Sequence, residues 1–257
     1  MLFALLSPAK KLDFAPAPDF AQATQPALMA DAARMAARAK QLSRGQLKRL
    51  MDISPKLAEL NFERFQSFDP DNARGTKPAL YAFAGDVYVG LDAKTLSKDD
   101  VEFAQAHIGI ISGLYGILRP LDAMQPYRLE MGSAVKNERG KNLYAFWREG
   151  LVARVNEITA EMTQPTIINL ASEEYWSAVD TKSLTAPVIQ ATFKEIKNGK
   201  ASVVSFLAKK ARGMMARHII QNRLNDPEAL KAFDTDGYRF DANASKEDVW
   251  IFSRKAP

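Results

Sequence analysis

The residues of this chain best suited to chemistry are its cations. The run Lys209 to Leu224 (KKARGMMARHIIQNRL) holds Lys209, Lys210, Arg212, Arg217 and Arg223 and no acid, and these five charges equal the formal net charge of the whole protein, +5. Read as a helix turning about 100° per residue, Leu207, Ala211, Met214, Met215 and Ile219 share one face. Lys210 and Arg217 then align on one flank of that face, Arg212 and Arg223 on the other. Gly213 falls between the flanks, where the missing side chain lets another backbone approach closely. Ile220 and Leu224 lie in the basic sector, so this face is half covered rather than bathed in water. A half-covered groove lined with Lys and Arg suits phosphate groups, each contact adding to a salt-dependent affinity. The competing reading is a solvated surface helix whose cations meet acids elsewhere.

A second concentration of charge lies in Ile111 to Gly132 (ISGLYGILRPLDAMQPYRLEMG), which looks both buried and charged. Gly113-Leu-Tyr-Gly116 follows a predicted helix and resembles the turn of a helix-hairpin-helix, one residue longer than usual, in which glycines expose backbone N–H groups to phosphate. Arg119 and Asp122 flank Pro120. If Tyr127 to Met131 is extended, Arg128 and Glu130 share one face and Tyr127, Leu129 and Met131 the other. Arg128 is then either half of a buried ion pair or a ligand contact. Ser7-Pro-Ala-Lys10 has the Ser-x-x-Lys spacing of a nucleophile pair, but the Ser-Asp-Asn and Lys-Thr-Gly companions are absent, so Lys10 is read as an anion contact instead. Asp234-Thr-Asp-Gly237 lacks the twelfth-position Glu of a Ca²⁺ loop and reads as a turn before a strand.

Composition closes other routes. The chain has 257 residues and no cysteine, which excludes thiolate catalysis, disulfides and Cys-ligated metal centres. Its two histidines, His107 and His218, are 111 positions apart, so no dedicated iron or zinc centre is expected. No metal and no cofactor are assigned. With no apolar run near the roughly 18 residues of a membrane helix, no membrane partner is expected. The start, MLFALLSPAKKLDF, has five apolar residues before Ser7, too few for a signal peptide, and reads as a first strand in a cytoplasmic protein.

The elements that must position these residues are mixed. Leu28 to Leu42 reads as an amphipathic helix; Ser43 with Gln46 forms a capping box; Ser54-Pro55 opens a helix to Phe65. Ala79 to Leu91 reads as strand or extended loop. Ser97 caps a helix to His107, and Asn142 to Met162 is a long helix. Thr166 to Leu170 is a short buried strand, followed by Ser172 as the N-cap of a further helix. Asn198-Gly199 marks a hairpin between Val188–Lys197 and Lys200–Phe206. Gly237 to Asp241 and Val249 to Arg254 form a closing pair. Strands and helices do not alternate strictly, so a regular βαβ array is not supported. The expectation is one compact mixed α/β (α+β) domain over residues 1–257.

The chain resembles the YaaA peroxide-stress proteins of bacteria over nearly its whole length. The resemblance is carried by LLSPAK (Leu5 to Lys10), GDVYVGL (Gly85 to Leu91), SGLYGILRPLDAMQPYRLEMG (Ser112 to Gly132), INLASEEY (Ile168 to Tyr175) and KKARGMMARHII (Lys209 to Ile220). Ala84 stands where some relatives are expected to carry Lys, and Lys11 replaces a small hydroxyl residue. The resemblance implies a cytoplasmic protein with a "cannonball" fold, a helix-hairpin-helix-like element and a basic cleft, which binds DNA and limits peroxide damage by keeping free iron low. With no cysteine and two distant histidines, any effect on iron is expected to be indirect.

Two functions from different classes follow. The first is a protective protein for double-stranded DNA, distorted duplexes included. Lys10, Arg119, Arg128, Lys209, Lys210, Arg212 and Arg217 would meet phosphates, with little sequence specificity. The alternative is an enzyme acting on a nucleotide or other phosphate-bearing molecule through Ser7, Lys10, Asp86, Arg119, Arg128 and Glu130, although no Gly-x-x-x-x-Gly-Lys loop or dinucleotide fingerprint is present. No catalytic residue is assigned. An interaction module docking its basic helix on an acidic protein is a third reading.

Overall fold

Leu2–Leu6 (β1) carries no polar residue, and all five side chains are buried, as in a strand covered on both faces. In the computed structural model, which describes residues 1–71 and 75–256, β1 lies in the interior of the main sheet. It runs parallel to Ile108–Ser112 (β3) on one side and Thr166–Leu170 (β6) on the other. β6 pairs parallel with Val188–Lys197 (β7), and β7 with Val249–Lys255 (β10). Antiparallel strands close the edges: Gly116–Leu118 (β4) on β3 and Arg239–Phe240 (β9) on β10. Lys200–Ser202 (β8) folds back on β7 through Asn198 and Gly199, both at positive φ, as the Asn-Gly signal predicts. Lys77–Pro78 (β2) and Ala123–Met124 (β5) make a separate small ladder.

The helices follow their caps. Met29–Lys40 (α1) is succeeded by Arg44–Met51 (α2) behind the Ser43/Gln46 capping box, and by Pro55–Ser67 (α3) behind Ser54. Ala79–Ala82 (α4) and Asp86–Leu91 (α5) are short. Lys98–His107 (α6) starts at the Ser97 capping box and runs without a loop into β3. Leu143–Ala160 (α7), Glu173–Trp176 (α8) and Ser205–Gln221 (α9) complete the set. α6 and α9 pack on each other and both on β1. The result is a single compact mixed α/β domain around one continuous core.

The mixed sheet agrees with expectation: five central strands are parallel, antiparallel strands flank them, and the crossovers are too unequal for a regular βαβ array. Two expectations are corrected. Ala79 to Leu91 is mainly two short helices, α4 and α5, joined by an extended Phe83 that bridges to Leu12. Its Tyr, Phe and Val content imitates a strand throughout, but α5 is held by tertiary packing on α9, which overrides local preference. The Gly113–Gly116 segment is the turn of the β3–β4 hairpin and not a helix-hairpin-helix. Its amides do not face phosphate, because Ser112 Oγ accepts from the N–H groups of Leu114 (3.2 Å) and Tyr115 (2.9 Å). Trp147 Nε1 donates to the Gly113 carbonyl at 2.9 Å, and a Cβ on Gly113 would lie 2.2 Å from the Leu129 carbonyl oxygen.

Candidate anion site at the carboxyl ends of β1 and β6

The chain leaves β1 for β3 on one side and leaves β6 for β7 on the other, so the connections of two adjacent parallel strands diverge between β1 and β6. Such a divergence opens a crevice beyond the strands' carboxyl ends, where open α/β sheets bind ligands. Here the crevice is a groove of about 470 Å³. Four segments line it: Ser7 to Lys11 after β1, Ala84 to Val89 at the start of α5, Ser172 to Tyr175 after β6, and Lys209 with Arg212 from α9.

Across its floor the two strand ends are tied together. The Ser172 N–H donates to Ser7 Oγ at 2.8 Å, and the Ser7 hydroxyl donates to Ser172 Oγ at 3.2 Å. Ser172 stands at the N-cap position of α8, but its side chain caps nothing; it is turned towards Ser7. The Ser7 carbonyl accepts from the buried Tyr88 hydroxyl at 3.1 Å, fixing the loop against α5. Burial pushes the Tyr175 hydroxyl well above the ordinary phenol range, so it stays protonated.

Arg212 is the exceptional cation of the groove. Its Nε is fully buried and without a hydrogen-bond partner, and among the described residues no acid pairs with it. Burial alone pulls its proton affinity down, yet a guanidinium remains charged at any physiological pH. A half-buried cation without a counter-charge is costly unless something anionic completes it. Lys10, Lys11 and Lys209 add exposed cations, against Asp86 and Glu174 at the rim.

The remaining sequence candidates disperse. Arg128 forms the ion pair that the alternation predicts, 3.0 Å from Glu130, with Tyr127, Leu129 and Met131 buried on the opposite face. Lys10 Nζ reaches the same Glu130 oxygen at 3.2 Å, so Arg128 touches the groove only through this shared carboxylate, whose other oxygen is buried and unpartnered. Arg119 lies beside the amino end of β3, away from the groove, since β4 runs antiparallel to it, and its Nε donates to the Gln105 carbonyl at 2.6 Å. Lys210 faces Asp236 at 3.7 Å. Arg217 donates to the carbonyls of Leu91 and Asp92, each at 2.9 Å, and so caps the carboxyl end of α5. Of the seven candidates, Lys10, Lys209 and Arg212 share the groove.

Sequence reasoning passed over Ser172 and Glu174 as groove residues. Only position betrays Ser172, at the end of a buried strand; its Ser-Glu-Glu context reads as an ordinary helix start. Both histidines are taken up by packing: His107 Nδ1 lies 2.7 Å from the Leu2 carbonyl with its ring stacked on Phe103, and His218 packs edge-on against Phe233.

Comparison with known proteins places these features in a context. The family model described as "Peroxide stress protein YaaA" matches residues 1–244. Proteins from two strains of Caulobacter vibrioides, each named "UPF0246 protein", are 50% identical to this chain over 253 residues, covering 98% of it and 99% of each relative.

Proposed function

The chain belongs to the YaaA family of peroxide stress proteins, and on that premise we propose that it protects double-stranded DNA by holding phosphate groups in the groove between β1, β6 and α9. The observation that carries this reading is the uncompensated Arg212 guanidinium, flanked by Lys209, Lys10 and Lys11 in one crevice. Contacts of this kind are made to the backbone and not to base edges, so sequence specificity is low. The effect on iron-driven damage is indirect in this reading: a chain without cysteine, whose histidines are both engaged in packing, acts at the DNA and not by storing the metal. A cytoplasmic location belongs to the same proposal.

A second reading, an enzyme acting on a phosphate-bearing small molecule, is favoured by the Ser7–Ser172 pair at the strand ends. Fluorescence anisotropy of a labelled duplex separates the two. Four phosphate contacts lower affinity by about two orders of magnitude between roughly 50 and 200 mM salt, and a Lys209→Ala/Arg212→Gln variant halves the slope. Absence of duplex binding at low salt, or an unchanged slope in the variant, overturns the DNA reading.

A further inference from the structure

The positive charges of α9 do not form a track. Lys210 is turned to Asp236, Arg217 to the carbonyl end of α5, and Arg223 to Asp100 at 2.6 Å. Only Lys209 and Arg212 of this helix enter the groove. A duplex backbone presents a charge roughly every 1.7 Å along its axis, and a protein following it needs free cations in series. Here the donors converge instead. Arg212 comes from one wall and Ser172 from the other, and the Ser172 hydroxyl receives the Ser7 proton while donating its own to no residue among those described. Lys10 stands at the mouth, held by Glu130. Asp86 and Glu174 on the rim repel further phosphates of a chain running across it. A cavity of about 470 Å³ suits one nucleotide-sized group.

We propose that the groove is a phosphomonoester site: it takes one terminal phosphate, with Arg212 and Ser172 as its recognising donors and Lys10 and Lys209 closing the mouth. The two sources with this chemistry are the 5′-phosphate of a DNA strand end and a free mononucleotide. A monoester is nearly a dianion at neutral pH, with three acceptor oxygens, whereas an internal diester offers one charge and two. The inference rests on the phosphate-binding reading of the same groove and narrows it to a terminal group.

The test compares two labelled duplexes of one sequence, one 5′-phosphorylated and one ending in 5′-hydroxyls, by anisotropy at low salt. Adenosine 5′-monophosphate serves as competitor and as ligand in thermal-shift assays. The wild type is expected to bind the phosphorylated end about tenfold more tightly, the scale of one added charge-assisted contact. Ser172→Ala and Arg212→Gln bring that ratio towards one, and Ser172→Ala guards against a loss of fold in the Arg212 variant. If the nucleotide raises the melting temperature while neither duplex binds, the monoester site stands and the DNA reading falls. Equal affinity for the two ends, with no competition by the nucleotide, overturns the monoester site and leaves general DNA binding intact.

Discussion

Lys209 and Arg217 lie on one helix with the same charge, and the structure gives them opposite tasks. Arg217 is spent on the carbonyls of Leu91 and Asp92. Arg217→Ala is therefore expected to lower stability by about 1.5–3 kcal/mol, the worth of a charged hydrogen bond, with groove binding left intact in the folded fraction. Lys209 is exposed and in the groove. Lys209→Ala is expected to weaken anion binding without moving the denaturation midpoint. Urea melts and anisotropy on both variants check this; a binding defect in a fully stable Arg217→Ala protein contradicts it. That the helix is basic was readable in the sequence, but which of its cations are free was not. Their partners (Leu91, Asp100, Asp236) come from other elements, and periodicity on one helix carries no information about what the fold brings against it.

At the scale of elements, the groove depends on how closely α5 approaches α9. A Cβ at Gly213 would stand 1.7 Å from the Val87 carbonyl oxygen, and one at Gly90 would stand 2.0 Å from the Lys210 carbonyl oxygen. Two glycines face each other's helix, and the backbones touch. Gly213→Ala must push α5 away and with it the Gly85–Val89 wall of the groove. A loss of about 3 kcal/mol or more is expected, beyond ordinary overpacking because backbone and not a side chain must move. Gly45→Ala, in α2 at negative φ with the nearest neighbouring atom 3.8 Å away, is expected to be neutral or slightly stabilising. Chemical denaturation of both variants decides the matter; equal midpoints would refute the tight crossing. Gly213 was legible as a place for close approach, because a glycine inside a basic amphipathic helix has no local purpose. Its partner was not, since Ala79 to Leu91 reads as strand or extended loop until α9 is in place. The helix caps at Ser43, Ser54 and Ser97 were legible because a cap is a local bargain between a side chain and the next turn. The helix-hairpin-helix reading failed for the converse reason: the glycines are there for Leu129 and Trp147, not for a helical turn.

Across the whole molecule, the acid limb of stability is tied to the histidine at the α6–β3 junction. His107 is 4% exposed, and burial, followed by repulsion from the amino terminus and Arg119, pulls its pKa below the usual histidine value. The unfolded chain therefore binds the proton first. Stability is fully present above about pH 6.5 and falls as the pH drops from there through the lower native value. His218 is displaced in the same direction by burial and adds to the slope. His107→Gln, which keeps a donor for the Leu2 carbonyl, is expected to melt lower at pH 7 yet lose less between pH 7 and 5 than the wild type. Thermal melts across that range test it; an unchanged pH slope would show that His107 titrates freely. Four of the five parallel strands were legible singly, but their order was not. β3 was not legible either, because Ile108–Ser112 runs without a loop out of α6 and merges into the charged segment Ile111 to Gly132. Local patterning identifies buried strands without saying which ones become neighbours.

The interior position of β1 also sets a timetable. β1 is made before either of the strands it ends between, and its second neighbour, β6, begins 160 positions after Leu6. At translation rates of roughly 5–20 residues per second, that is a wait of roughly 8 to 32 seconds. For that time an entirely apolar strand has at least one unpaired edge, an invitation to neighbouring nascent chains. The wall of the groove that carries Lys209 and Arg212 is made later still. A product released before Thr166 would thus have no partner for that edge of β1 and no groove: sticky and inert together.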